Sequence, residues 1–582
     1  MTDVSQLIID HLDIWTSAIE KKSGAGRGNG GGTSLYGIKK LRDLVLKLAV
    51  QGKLVPQDPA EGDISALLMD LEKERQDLLK QKKLKKQKAL PDITEDEKPY
   101  QIPGSWAFIR LGDLTNYGAT DKVEANEVDE DTWVLELEDV EKESSRLLQR
   151  VTFLDRRFKS SKNRFSKGDV VYGKLRPYLD KVIVADGDGV CTTEMMPVRA
   201  HCGVSPKYLR LVLKSPSFIK YADDSTHGMN LPRIGTEKAR MAVVPLPPTA
   251  EQHRIVAKVD ELMTLCDTLE AHAKDSLKAH QTLVETCLAA LTNSQTPEDL
   301  AQNWARLEAN FDALFTTDES IKSLREAILE WAVRGLLSKT IEADRDPNEF
   351  LQNNLAARSE LQKETGDARL KKCANTLFEE YRAPLPAGWS AASFDELFLF
   401  IDYRGRTPKK TESGTPLITA KNVRMGQLNR EPREYVSDST YVEWMTRGFP
   451  RIGDLFFTTE APLANVCIND IDEPFALAQR VICLQPISQL NTKYLEIAIR
   501  SKPVQEMIDR NGTGMTAKGI KASKLKPLAI PFPPIEEQDR IVDKVQQLHA
   551  ICDSLSSSLK QVEDTKLHLA VGLVRRASEI AA

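Results

Sequence analysis

The stretch "PLPPTAEQHRIVAKVDELMTLCDTL" begins at Pro245 and returns as "PFPPIEEQDRIVDKVQQLHAICDSL" from Pro531, identical at fourteen of 25 positions with an offset of 286. This repeat constrains the fold more than any other feature, because a chain that repeats itself builds one unit twice. A second set of matches lies upstream at an offset of 283. There "GIKKLRDLVLKLAVQGKL" from Gly37 falls on "SIKSLREAILEWAVRGLL" from Ser320, and Pro103 and Trp106 fall on Pro386 and Trp389. "KYLRLVLKS" at Lys207 matches "KYLEIAIRS" at Lys493, "GDVVYG" at Gly168 matches "GDLFFT" at Gly453, and "HGMN" at His227 matches "TGMT" at Thr513. The 582 residues are therefore two copies of a unit of about 285 residues.

Each copy reads as helix, mixed segment, helix. After the proline breaker, Ile255, Val259, Leu262, Cys266, Leu269 and Ala273 alternate in steps of four and three. Ile541, Val545, Leu548, Cys552, Leu555, Leu559 and Val562 keep the same rhythm, the seam of a coiled coil or long helical hairpin. The expected partners are helices from Ile38 to about Lys88 and from Ile321 to about Lys372, striped by Leu41, Val45, Leu48 and by Leu324, Ile328, Trp331. Cys266 and Cys552 read as core residues. Between the helices, "VVYGKL", "KVIVADGDG", "DLFFTT" and "RVICLQP" mark two α+β segments by short β-branched runs between turn residues. The expected boundaries are 1–36 for an N-terminal helix and Gly-rich linker, 37–99 helical, 100–244 globular, 245–382 helical, 383–530 globular and 531–582 helical.

A search for chemistry excludes most classes. "GAGRGNGGG" contains one G-x-G-x-x-G match, but a helix precedes it where a dinucleotide site needs a strand, so it reads as a flexible linker. No phosphate-binding P-loop and no Asn-Pro-Pro-aromatic stretch occurs. Asp454 and Glu460 resemble a nuclease carboxylate pair, yet Pro462 stands where that site wants a lysine, and the pair reads as a structural turn. The eight cysteines form neither a disulfide framework nor a zinc pattern. No catalytic residue, metal or cofactor is expected. The acidic "MTDVSQLIIDHLDIW" start and the lack of a run of about twenty apolar residues predict a cytoplasmic chain with no membrane contact.

Net charge is −5, but the charges are segregated. Asp121 to Glu143 is acidic, whereas Arg156 to Lys181 carries nine Lys or Arg against two Asp. That basic run interleaves Arg156, Arg157, Lys162, Arg164, Lys174 and Arg176 with Tyr172 and Tyr178. The second copy supplies Arg404, Arg406, Lys409, Lys410, Lys421, Asn422 and Arg424. Arg suits guanine and Asn suits adenine, so both runs are candidate double-stranded DNA surfaces; a solvated basic face is the alternative. The lysine run "KQKKLKKQK" ending at Lys88 carries less weight.

The doubled PLPP-x-x-EQ-x-RIV element, "YRGRTP…PLITAKNV", "GDLFFTTEAPL" and "GKLRPYLDK" resemble the specificity subunit of type I restriction-modification enzymes over nearly the whole chain. The N-terminal "IWTSAIEKKSGAGRG" is most similar to the longer, type IB branch. The resemblance implies two target recognition domains that read two half-sites of a bipartite, asymmetric DNA sequence. It implies long antiparallel coiled-coil helices between them, related by a pseudo-two-fold internal repeat. Two modification (methyltransferase) subunits would bind the helical regions, and restriction subunits would supply ATP-driven translocation and cleavage. A helix from Ala250 to Leu291 would be about 60 Å long, enough to span one DNA turn of ~34 Å. A coiled-coil scaffold that reads no DNA is the alternative, and it leaves both basic runs without a purpose.

Overall fold

The computed structural model describes residues 4–21, 33–80, 90–227, 231–403, 407–514 and 518–580. The chain divides into two compact units, Met1–Ser276 with Val562–Ala582, and Leu277–Gln561. The Gly-rich linker and the lysine run after Lys80 lie outside the described residues.

The repeated motif has a physical reading in each unit. In the first, Trp106 Nε1 donates to Glu251 Oε2 at 2.8 Å, Gln252 Nε2 donates to the Pro247 carbonyl at 3.0 Å, and Arg254 pairs with Glu61 at 2.6 Å. The second repeats this with Trp389 on Glu537 at 3.2 Å, Gln538 on Pro533 at 3.0 Å and Arg540 on Asp344 at 2.6 Å. Strand Ala107–Arg110 pairs antiparallel with Val243–Leu246, and Ser390–Ser393 pairs likewise with Ala529–Phe532. The hydroxyls of Tyr208 and Tyr494 close the same corner on the carbonyls of Pro245 and Pro531. "PLPP…EQ.RIV" thus joins the end of each globular segment to the helical residues on both sides of it.

The long N-terminal helices expected in each copy are broken in two. Tyr36–Val50 stops before Ser65–Lys80, and Asp318–Val333 stops before Pro347–Thr365. The cause is a left-handed glycine after the first helix, Gly52 at φ +70° and Gly335 at φ +65°. A Cβ on Gly52 would lie 2.5 Å from the Pro103 ring, and one on Gly335 2.7 Å from Pro386. Only glycine allows both the turn and that approach.

The helices Thr249–Thr292 and Ile535–Ile580 run unbroken for 44 and 46 residues. Ile255, Val259, Leu262 and Cys266 are buried, as are Ile541, Val545 and Cys552. Val562, expected in the seam, is 48% exposed. A straight helix drifts by ~20° per heptad from a 3.5-residue stripe, which carries so distant a position off the buried face. Thr249 to Ser276 belongs to the first unit and Leu277 to Thr292 to the second, while Ile535 to Gln561 belongs to the second and Val562 to Ile580 to the first. All eight cysteines are free, and burial pushes the thiol of Cys266 up to about 11.

The globular segment of the first unit holds a four-stranded sheet in the order Lys122–Val123, Lys162–Phe165, Gly189–Cys191, Trp133–Leu135, its last pair parallel. A three-stranded antiparallel sheet of Met195–Val198, Val170–Gly173 and Val182–Val184 accompanies it. The second unit pairs Thr415–Ile418 in parallel with Ala476–Leu477, and sets Val481–Pro486 between Phe398–Asp402 and Leu455–Thr458. The fold is α+β. Among the described residues no helix is long and apolar enough to cross a membrane.

Candidate nucleic-acid interface

Trp133–Leu135 and Thr415–Ile418, each paired in parallel within its own unit, lead into turns of the same kind. Asp139 Oδ2 accepts from the Glu136 amide at 2.8 Å, and 283 residues on, Asn422 Oδ1 accepts from the Thr419 amide at 2.9 Å. Both side chains are buried. Asn422 Nδ2 donates to the carbonyls of Asn429 and Pro432, each at 3.1 Å, so its donors and acceptor are all engaged within the fold.

Much of the first basic run meets the acidic stretch that precedes it. Arg156 grips Asp139 with both terminal nitrogens and reaches Glu138 at 3.3 Å; the hydrogen bonds to Asp139 raise its already high pKa. Lys162 is buried against Glu136, with its ammonium 5.4 Å from the Phe158 ring centre. Arg157 pairs with Glu130 at 2.6 Å and lies over Phe153, and Arg164 pairs with Asp121 at 3.3 Å. Arg157 and Arg164 remain about half exposed, where an ion pair contributes little and a phosphate could replace the acid. Tyr172 is buried in an aromatic row with Tyr117 and Phe218.

The turn that follows is different. Among the described residues the side chains of Lys174 and Arg176 make no hydrogen bond or ion pair, and Tyr178 is 48% exposed. Arg176 is held through its backbone, its amide donating to the Pro232 carbonyl at 2.7 Å.

In the second unit Arg404 and Arg406 lie outside the described residues. Lys409 and Arg424 are exposed and without a side-chain partner among the described residues. Arg424 stands on the small hairpin Val423–Arg424 with Gln427–Leu428. Lys410 and Lys421 share Glu434 at 2.6 and 3.3 Å; burial works against its ionisation, but their hydrogen bonds hold its carboxyl below the usual range.

Asp454 is buried, accepting from the Arg451 amide at 2.7 Å and from Gln485 at 2.9 Å. Asp169 makes the matching turn with the Ser166 amide at 2.8 Å. Glu460 pairs with Arg480 at 2.6 Å. Among the described residues no cluster of His, Cys, Asp or Glu is suited to a metal.

Sequence reasoning missed one pair of positions. Glu194 and Arg480 are 286 residues apart, and their carbonyls accept from the amides of Lys174 and Thr459, both at 3.0 Å. Glu194 binds Arg233 through two hydrogen bonds, while Arg480 binds Glu460, so the charge is reversed on one framework. Comparing the two copies column by column would have found it. What these exposed edges can do is bind anions: unpaired Lys and Arg on turns suit phosphate and base-edge acceptors.

The family of the Type I restriction modification DNA specificity domain matches residues 386–564. The Escherichia coli type I restriction enzyme EcoAI specificity subunit is 34% identical over 598 residues, covering 99% of both chains, and the EcoEI specificity subunit from the same organism is 32% identical, again over 99% of each. A chain from a solved type I R-M system is 19% identical, covering 82% of this chain and 99% of its own, with a TM-score of 0.49. Similar along its whole length to two such subunits, the chain belongs to the specificity subunits of type I restriction enzymes, the non-catalytic component that carries their DNA specificity.

Proposed function

We propose that residues 100–244 and 383–530 each read one half-site of a bipartite, asymmetric double-stranded DNA sequence, and that the helical regions carry two modification subunits alongside restriction subunits. The observation that carries the reading is one framework built twice with different polar edges: Glu194 against Arg480, and Arg176 against Ala461 in the turns that follow Val170–Gly173 and Leu455–Thr458. Two identical edges would read a symmetric sequence; two different ones read an asymmetric one. Lys174, Arg176 and Tyr178 are assigned to the first half-site, and Lys409 and Arg424, with Arg404 and Arg406, to the second.

The test is to purify the chain with and without a type I modification subunit and map methylation on mixed genomic DNA. Methylation only in the mixture, at a split asymmetric sequence, is the expected result. Arg424→Ala should weaken the second half-site by ~1 to 3 kcal/mol if a bidentate base contact is lost, and leave the first unchanged. Methylation by the chain alone, or of a continuous palindrome, sinks the reading.

A further inference from the structure

All six described non-glycine residues with left-handed backbone lie in one kind of turn or against it. Glu143, Ser145, Arg176 and Asp180 (φ 65°, 55°, 52° and 50°) belong to the first unit, and Ala461 and Ala464 (48° and 63°) to the second. Each such residue is strained and persists only where its surroundings over-determine it.

In the first unit those surroundings centre on Lys214, the last residue of the helix Pro206–Lys214. Its ammonium donates to Asp180 Oδ2 at 2.5 Å, to Ser145 Oγ at 2.7 Å and to the Glu143 carbonyl at 2.8 Å, so three donors tie down three points. Ser145 Oγ donates in turn to the Asp180 carbonyl at 2.6 Å, and the Glu143 amide donates to the Leu179 carbonyl at 2.9 Å. Lys214 and Asp180 are 7% and 11% exposed.

Such a pair is a poor source of stability. Burial pushes the Asp180 carboxyl up to about 6 and the Lys214 ammonium down, and Asp180 Oδ1 has no hydrogen-bond partner. The second unit's counterpart turn, between Leu455–Thr458 and Val466–Ile468, is one residue shorter, passes a cis Ala461–Pro462 bond and lacks the pair. Ala464 stands in place of Asp180, Gly426 (φ +75°) lies in a hairpin two residues shorter than the one that holds Glu143 and Ser145, and Arg500 replaces Lys214, its guanidinium 2.3 Å from where a Cβ on Gly426 would stand. The cargo of the turn differs too: Lys174, Arg176 and Tyr178 in the first unit, Thr459, Ala461 and Leu463 in the second. The charged lock accompanies the charged tip.

We propose that Lys214 is a positioning residue for DNA recognition, locking the turn Lys174–Asp180 so that Arg176, Lys174 and Tyr178 meet the first half-site in one fixed geometry. This rests on the DNA-reading function above. A long cationic side chain discriminates between bases only when its backbone is held, because otherwise it follows whatever acceptor is offered.

The experiment uses the full chain with its modification subunit and two duplex libraries, each randomising one half-site. Lys214→Met should lower discrimination at the first half-site tenfold or more and leave the second unchanged. Arg176→Ala should show the same one-sided loss. Lys214→Arg, which keeps a cation beside Asp180, should retain more discrimination at the first half-site than Lys214→Met. A folded Lys214→Met with wild-type discrimination at both half-sites, or with equal loss at both, overturns the proposal. If that variant fails to fold, the change Arg176→Ala decides, and unchanged discrimination at the first half-site overturns it. Wild-type protein that prefers no sequence at either half-site removes the function itself, whereas failure of the turn variants alone removes only the lock.

Discussion

His549 shows what single substitutions between the copies have done. It stands 286 residues from Met263, and burial, with Arg500 and Arg325 facing it and Asp553 and a backbone hydrogen bond at Arg325 opposing them, pushes its imidazole down to about 4. Nε2 is buried without a partner. The unfolded chain takes up this proton first, near pH 6.5, so the stability tied to the neutral ring is complete above that pH and lost as pH falls toward 4. The ring is partly exposed, so the effect is on the order of 1 kcal/mol after solvent screening. His549→Met should flatten the decline in melting temperature between pH 6.5 and 4.5; parallel declines for both proteins would remove the assignment. The same scale explains why Asn422 was misleading in sequence. Adenine-reading chemistry was visible, but the four groups that saturate its amide, on Thr419, Asn429 and Pro432, are brought to it by the fold.

Between helices, equivalent contacts are packed with exchanged sizes. In the first unit Leu44 and Leu48 meet Ala577 and Val574 from the C-terminal helix. In the second unit the corresponding positions are Ala327 and Trp331, and the incoming helix brings Leu291 and Leu288 into the same core. The polar stitch changes too: Lys47 donates to Ser578 at 3.0 Å, and Trp331 donates to Thr292 at 2.8 Å. Ala577→Leu should therefore overpack the first unit and cost about 1 to 3 kcal/mol in denaturant unfolding, and adding Leu44→Ala should recover most of it. No loss from the single change would place Ala577 off the contact. Helix existence was readable from four-three spacing, whereas the breaks after Val50 and Val333 depended on where Pro103 and Pro386 pack.

Across the whole molecule, each unit leaves the same two apolar helix positions exposed. The first presents Leu265 and Leu569, 38% and 47% exposed, and the second Ile551 and Leu283, 48% and 53% exposed, each pair member 286 residues from its counterpart. Exposed apolar groups repeated at one framework position suit two copies of one partner. If the two modification subunits proposed above dock there, Leu265→Asp with Leu569→Asp should reduce the native mass of the complex by one of them, and so should Ile551→Asp with Leu283→Asp. Two subunits retained in both variants would move the docking faces elsewhere.

Duplication, the alternation of helical and mixed segments and the family were determined by the sequence alone, because periodicity and motif spacing are properties of neighbouring residues and survive without knowledge of contacts. Which cations are free was decided by tertiary structure. Lys162 and Glu136 are 26 residues apart and Arg157 and Glu130 are 27 apart, and only strand and turn geometry brings them together while leaving Arg176, in the same basic run, without an acid among the described residues. Charge pairing acts over a few ångströms in space, and linear order does not record that distance.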